Sequence, residues 1–239
     1  MTMEIQGQTD VGRQRDTNQD EIDFKRLDEN TAAVVLADGM GGVAGGATAS
    51  TVAVEAFSDH IASGNWDAEP KSTVRSAVET AQTAVNEEAK TDPKLANMGC
   101  TLVGGLVVDD TVVLANVGDS RAYEIDDEAV QLTTDQTVAN ELVKKGELDP
   151  GKVDDHQMSH VLQQSIGSTD DLEPEFVHQQ IHGRLLLCSD GLTNELDDRQ
   201  VANLGEGSPL EDACDELIDA ANSEGGSDNI SVILVSSDE

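Results

Sequence analysis

The chain has 239 residues, enough for one domain with a substantial core and few for two. Its 48 acidic residues against 14 basic ones give a net charge of −34, which repels nucleic-acid phosphates and anionic membrane surfaces and argues against both as partners. Leu, Ile, Val and Phe still make up roughly a quarter of the residues, above the disordered range, and aromatics are only 2 %, so a folded core of aliphatic side chains and Ala is expected.

From the N-terminus, MTMEIQGQTD lacks the basic and apolar regions of a signal peptide. No apolar run approaches the roughly 20 residues needed to span a bilayer, so a soluble, cytoplasmic protein is expected. A polar stretch, VGRQRDTNQD at 11–20, precedes the first strong strand pattern, AAVVLADG at 32–39. Ala-rich helical spacing follows over 46–61. A second helix is predicted over 72–89, with Val74, Val78, Ala81 and Val85 on one face. The run 101–118 reads as two strands joined by a tight Asp109-Asp110 turn, and RAYEI and AVQLT read as the next pair, joined at Asp126-Asp127-Glu128. Residues 135–172 are polar and hold Gly146, Pro150, Gly151 and Gly167. They predict a short helix near 137–145 and then a surface flap around 146–172. Strand RLLLCSDG at 184–191, a helix over 209–221 opening on Pro209, and strand NISVILV at 229–235 complete the chain. Helices fall between groups of strands rather than after each strand, which argues for an α+β domain, residues 1–239, of antiparallel sheets flanked by helices.

The acidity itself needs a cause. A metal site uses a handful of carboxylates, and no contiguous acidic tail exists; the acids are spread along the chain and Lys is scarce. That distribution suits a salt-adapted, halophilic cytoplasm, where charges are screened over about 3 Å at 1 M salt. Cys100, Cys188 and Cys214 form no paired spacing, and Cys188 sits in an apolar run, so buried core thiols are expected rather than disulfides or a zinc site.

Three aspartates adjoin strong strand patterns and are followed by Gly or Asn: Asp38 in VVLADG, Asp190 in LLLCSDG and Asp228 in GGSDNISVILV. Carboxylates converging from several strand ends make a hard-oxygen cage suited to Mg²⁺ or Mn²⁺. Asp-Gly is also a plain turn signal, and pattern alone leaves both readings open. Arg15 and Asp20 stand five residues apart in the polar stretch. A guanidinium fork suits phosphate, while an ordinary surface ion pair is the alternative. Asp119, in NVGDSRAY, sits in a tight turn between two strands.

In this order, TDVGRQRDTNQD, DGMGG, MGCTLVGGLV with VGDSRAY, DQTVANELVKKGELDP, LQQSIG, LLLCSDGLTNEL and GGSDNISVILV together resemble the metal-dependent protein phosphatase (PPM, protein phosphatase 2C-type) family of bacterial kind, over nearly the whole chain. The resemblance implies a central antiparallel β-sandwich with helices on both outer faces. It also implies hydrolysis of phosphoserine and phosphothreonine on proteins by a metal-activated water, with no phosphoenzyme. It assigns Asp38 to bridge two ions, the Gly39 carbonyl to complete one, Asp190 and Asp228 to hold the other, and Asp20 to act through bound water. Arg15 would take the substrate phosphate, and Asp119 with Asp190 would form a weaker third metal site. Two positions depart from the family pattern. Gln19 stands where Glu is usual, which predicts weaker binding at that metal, and Met40 stands where eukaryotic members often carry a His. His156 and His160 in the flap are weak candidates to replace it. A catalytically impaired, phosphoprotein-binding relative, favoured by Gln19 alone, and an acidic cation binder without catalysis are the alternatives. Phosphorylated proteins as substrates, a cognate Ser/Thr kinase, no nucleic acid, no membrane and a monomer are expected.

Overall fold

The computed structural model describes residues 3–153, 156–169, 171–207 and 209–237. Two strands, β1 (Met3–Asp10) and β2 (Asp20–Arg26), flank the polar stretch 11–19, and β3 (Thr31–Met40) leads into helices α1 (Val43–Ser63) and α2 (Pro70–Glu88). A run of strands follows: β4 (Gly99–Cys100), β5 (Leu102–Val108), β6 (Thr111–Val117), β7 (Arg121–Ile125) and β8 (Ala129–Gln131). Helix α3 (Val138–Lys144) then precedes β9 (Glu175–Gln180) and β10 (Arg184–Cys188). Helices α4 (Asp190–Thr193), α5 (Asp198–Gly205) and α6 (Leu210–Glu224) come before the last strand, β11 (Ile230–Ser237).

All strand pairs are antiparallel. One sheet has the order β1-β11-β10-β7-β8; the other runs β2-β3-β5-β6-β9, with β4 extending it beside the end of β3. β3 shows why the two sheets stack. Its Ala32, Val34 and Leu36 belong to the apolar layer between the sheets, with Leu185, Leu187, Ile233 and Val235 of the other sheet. Its Ala33, Val35 and Ala37 face outward onto Ala49, Ala53, Phe57 and Ile61 of α1 and Val74, Ala77, Val78 and Ala81 of α2. A strand buried on both faces loses the polar alternation of a half-exposed one, and each buried Val or Leu contributes about 1.5–3 kcal/mol of transfer free energy. The outer face of the first sheet is covered in the same way by Leu210, Ala213, Cys214, Leu217 and Ile218 of α6. The layers are therefore helix, sheet, sheet, helix, as expected.

Several elements differ from the sequence expectations. β1, β2, β9 and α5 were not foreseen, and Pro209 stands immediately before α6 rather than inside it. The strand read over 184–191 ends at Cys188, and Asp190 is the first residue of α4. The end of the 146–172 segment is not superficial: Ile166 is buried and exchanges backbone hydrogen bonds with Cys100. All three cysteines are free and buried, and burial pushes the Cys188 and Cys214 thiols up to about 12.

Candidate metal centre

At one end of the sandwich β2 begins, β3 ends, β6 turns into β7, β10 passes into α4, and β11 begins. The register of β2 with β3 sets Asp20 directly opposite Asp38. Asp38 continues the alternation of Ala32, Val34 and Leu36, so both carboxylates project into the space between the sheets. Asp20 reaches across it: its Oδ2 accepts from Ser189 Oγ at 2.8 Å and Ser231 Oγ at 2.7 Å, both on the opposite sheet's side. Thr101 brackets Asp38, its amide donating to the Asp38 carbonyl at 2.8 Å and its Oγ1 accepting from the Asp38 amide at 2.9 Å. The same hydroxyl lies 2.7 Å from Ser120 Oγ, beside the turn that carries Asp119. Gly118 makes that turn at φ 107, a conformation natural to glycine.

Asp190 is steadied by Asn194, whose Nδ2 donates to Oδ2 at 3.1 Å. Asp228 accepts from its neighbour's amide, Asn229 N, at 2.9 Å and from Arg15 at 2.6 Å. Asn229 knits the polar stretch into place: its Oδ1 accepts from Gln19 N, and its Nδ2 donates to the carbonyls of Val11 and Thr17. Gly39 stands against α1, where an added Cβ would lie 2.3 Å from the Gly46 carbonyl oxygen, so only glycine permits this approach.

The carboxylates of the cluster are buried and repel one another. Burial, then the charges of Asp20, Asp190, Asp119 and Asp228, hold the Asp38 carboxyl well above the usual range. Burial is also the chief cause at Asp20, pushed up to about 7 against the opposing serine hydrogen bonds, and at Asp119, likewise about 7. Asp190 is raised by burial and by Asp228. Asp20 Oδ1 and Asp190 Oδ1 are buried with no hydrogen-bond partner among the described residues. Leaving a buried carboxylate oxygen unpaired costs more than an ordinary hydrogen bond is worth. Hard-oxygen donors in this state fit divalent Mg²⁺ or Mn²⁺. Asp126, Asp127 and Glu206 also approach one another, but all three are exposed and solvated.

Five of the predicted residues, Asp20, Asp38, Asp119, Asp190 and Asp228, thus gather at one end of the sandwich, with Arg15 half-exposed at its mouth. Gln19 points elsewhere: its Nε2 donates to the Gly42 carbonyl at 2.8 Å. Ser189, Ser231, Thr101 and Asn229 were missed, because hydroxyls and amides beside strands carry no distinctive sequence signal. A cleft of about 690 Å³ opens beside Asp119 and Asp190, lined also by Arg121, Asp135, Asn194 and His160.

The chain matches the family described as protein phosphatase 2C over residues 9–234. It is 35 % identical to protein phosphatase PhpP of Streptococcus pneumoniae, over 99 % of this chain and 98 % of that one. The structure of the Streptococcus agalactiae serine/threonine phosphatase superposes with a TM-score of 0.91 at 33 % identity, over 99 % of this chain and 100 % of the other. The catalytic domain of the serine/threonine phosphatase PstP, solved with 2 manganese ions, gives a TM-score of 0.84 at 27 % identity over 98 % and 97 % of the two chains. The chain belongs to the protein phosphatase 2C family.

Proposed function

We propose that this end of the sandwich is where the chain, a metal-dependent protein-serine/threonine phosphatase, hydrolyses phosphoserine and phosphothreonine on proteins. The observation that carries the reading is the pair of buried, unpartnered carboxylate oxygens, Asp20 Oδ1 and Asp190 Oδ1, within a cluster of mutually repelling aspartates. Asp38, with the Gly39 carbonyl beside it, and Asp190 and Asp228 are the residues that would hold the ions. Asp20, fixed by Ser189 and Ser231, would act through bound water, and Asp119 with Asp190 would hold a weaker third ion. When bound, such ions lower the pKa of a water nucleophile and neutralise charge on the phosphoryl oxygens. Arg15, tied to Asp228, presents its remaining guanidinium donors at the mouth, where a phosphate dianion docks. Asp20, Asp38 and Asp190 are held by burial and by hydrogen bonds to neighbouring residues, so their charges are aligned before substrate arrives. The three buried thiols have no part in this role, since burial raises their pKa values and keeps them protonated.

Two manganese ions in the related PstP domain favour Mn²⁺ here over Mg²⁺. A cognate Ser/Thr kinase that supplies the phosphoprotein, and a monomer as the working unit, complete the reading. Cytoplasmic location accords with the chain's having no helix, among the described residues, long and apolar enough to cross a membrane.

The test is hydrolysis of p-nitrophenyl phosphate and of a phosphothreonine peptide in multimolar KCl, with and without Mn²⁺, beside an Asp190→Ala control. Turnover that requires metal and disappears in the control is expected. A folded, metal-loaded protein without turnover would reassign the chain to phosphoprotein binding.

A further inference from the structure

Hydrolysis of a phosphoserine or phosphothreonine ester releases an alkoxide, a strong base that departs slowly unless it takes up a proton as the bond breaks. Met40, exposed at the end of β3, has no proton to give, and the three thiols are buried. A donor has to come from the cleft of about 690 Å³ beside Asp119 and Asp190. Its other titratable walls are Arg121, Asp135, the acids Glu195, Asp197 and Asp198 at the entry to α5, and His160. Arg121 is occupied, its guanidinium donating to both oxygens of Asp135 and to Tyr123 Oη, and a guanidinium does not give up its proton in a protein. Carboxylates, as anions, only accept, and Asp119 and Asp190 would bind ions in that form. Imidazole is the side chain that holds and releases a proton near neutral pH, and His160 is the histidine that lines this cleft. His156, four residues earlier, turns back on its own chain, its Nδ1 accepting from Met158 N at 3.2 Å.

His160 is held at this wall by a clasp that also shapes the aspartate cluster. Gln136 is buried. Its backbone amide donates to the Gly118 carbonyl and its Oε1 accepts from Gly118 N, both at 2.9 Å, so it grips the turn that carries Asp119. The same Oε1 accepts from Gln164 Nε2, and the Gln136 carbonyl accepts from Gln163 N, each at 2.8 Å. Val138 N donates to the Val161 carbonyl, also at 2.8 Å. The residues that follow His160 are therefore stitched to the segment that fixes Asp119. The His160 side chain is exposed and makes no hydrogen bond or ion pair among the described residues. Its charge is still felt in the cluster: burial and Asp228 raise the Asp190 carboxyl, and His160 acts against them. The ring thus lies within electrostatic reach of Asp190 without being bound to it.

We propose that His160 is the acid that protonates the leaving serine or threonine oxygen. The water oxygen forms its bond to phosphorus, and the bond from phosphorus to the serine or threonine oxygen breaks with its electron pair on that oxygen. The imidazolium proton passes to it. The water's protons go to the phosphate and to solvent, from which the imidazole is recharged. The proposal rests on the phosphatase reading, and its test separates the two. In multimolar KCl, kcat of the Mn²⁺-loaded full-length protein is measured on a phosphothreonine peptide and on p-nitrophenyl phosphate, beside His160→Gln and His160→Ala. Nitrophenolate is a stabilised anion that leaves without a proton. Both substitutions are expected to slow the peptide at least about a hundredfold, and p-nitrophenyl phosphate at least about tenfold less than that. The fall of the parent's kcat on the peptide at alkaline pH, where imidazole is neutral, flattens in both variants. A second readout needs no turnover. In the Mg²⁺-loaded protein, inorganic phosphate raises the midpoint of the His160 ring titration, because an anion at the site favours the charged ring. It is followed by NMR, with the resonance identified by its absence in His160→Gln. Equal losses on the two substrates, no loss on the peptide, or a midpoint that ignores phosphate overturns the proposal. A Mn²⁺ affinity that falls about tenfold in His160→Gln by calorimetry would make the ring a metal ligand, and overturns it also. A parent that turns over neither substrate removes the phosphatase reading and the proposal with it. A parent that turns over both, with equal losses in the variants, removes the proposal alone.

Discussion

Asp20 and Asp38 face each other across the antiparallel pair β2–β3, two carboxylates on one face of one sheet. Asp190 and Asp228 raise both further. The pairing makes the metal-free protein sensitive to pH in a stated direction. Asp20 and Asp119 titrate near 7 in the fold, against 3.8 ordinarily. Between those values the folded chain binds more protons than the unfolded one, so the stability these groups contribute is full below the lower value and is lost as pH rises through the upper one. Thermal unfolding after metal removal is therefore expected at lower temperature near pH 7.5 than near pH 5. Asp20→Asn keeps an oxygen for Ser189 and Ser231 without the charge, and flattens the dependence. Added Mn²⁺ restores more stability at the higher pH, because binding displaces those protons. A Tm that falls equally in the parent and in Asp20→Asn would remove the cluster as the cause.

Gln19 occupies the place of a usual glutamate; its side-chain amide donates to the Gly42 carbonyl, and its backbone carbonyl accepts from Gly39 N and Ser50 Oγ. It thereby ties the start of β2 to the loop entering α1. A glutamate cannot donate, and its carboxylate would confront the Gly42 carbonyl. Gln19→Glu is expected to lower the stability of the metal-free protein by about 1–2 kcal/mol in denaturant titration. The carboxylate, freed toward the cluster, tightens Mn²⁺ binding measured by calorimetry. An unchanged metal titration would mean that the side chain at this position does not reach the ions.

β3, β5, β6, β10 and β11 read as strands because they are mostly buried apolar runs, and β7 with the edge strand β8 read as a pair from the turn residues between them. β1, β2 and β9, three of the four edge strands, were not read. MEIQGQTD, DEIDFKR and EFVHQQ carry charged and amide side chains on their wet positions, as edges do. Asp38, Asp190 and Asp228 were legible because each adjoins a readable strand, but their convergence depends on β2 and on the register that brings Asp20 opposite Asp38. The short α5 was hidden, although its capping box, Asp197 with Gln200, is written in the sequence.

Arg15 separates stability from catalysis. Its 2.6 Å bond to Asp228 joins side chains that are 51 % and 29 % exposed, and exposed pairs stabilise by at most about 1 kcal/mol. Arg15→Ala is therefore expected to leave Tm nearly unchanged. The loss of a charged hydrogen bond to phosphate, about 1.5–3 kcal/mol, lowers kcat/KM by about tenfold to a hundredfold. Arg15→Lys recovers part of it, a point charge replacing a fork. A large drop in Tm on Arg15→Ala would instead make the residue a structural clamp on the loop 11–19.

Salt acts on a different part of the molecule. Asp126, Asp127 and Glu206 hold exposed carboxylates within 4.8 Å of one another, with no basic partner in an ion pair among the described residues. At 0.1 M salt the screening length is about 10 Å and such groups repel; at 1 M it is about 3 Å and they do not. With a net charge of −34 repeated over the surface, the fold is expected to fail in dilute buffer and to return in multimolar KCl, followed by circular dichroism and activity together. Asp127→Asn with Glu206→Gln, far from the metal centre, lowers the KCl concentration at the folding midpoint. Full activity in dilute buffer would end the salt-adaptation reading. A midpoint moved by Asp20→Asn and not by the surface pair would place the salt requirement in the buried cluster, where bulk ions screen least.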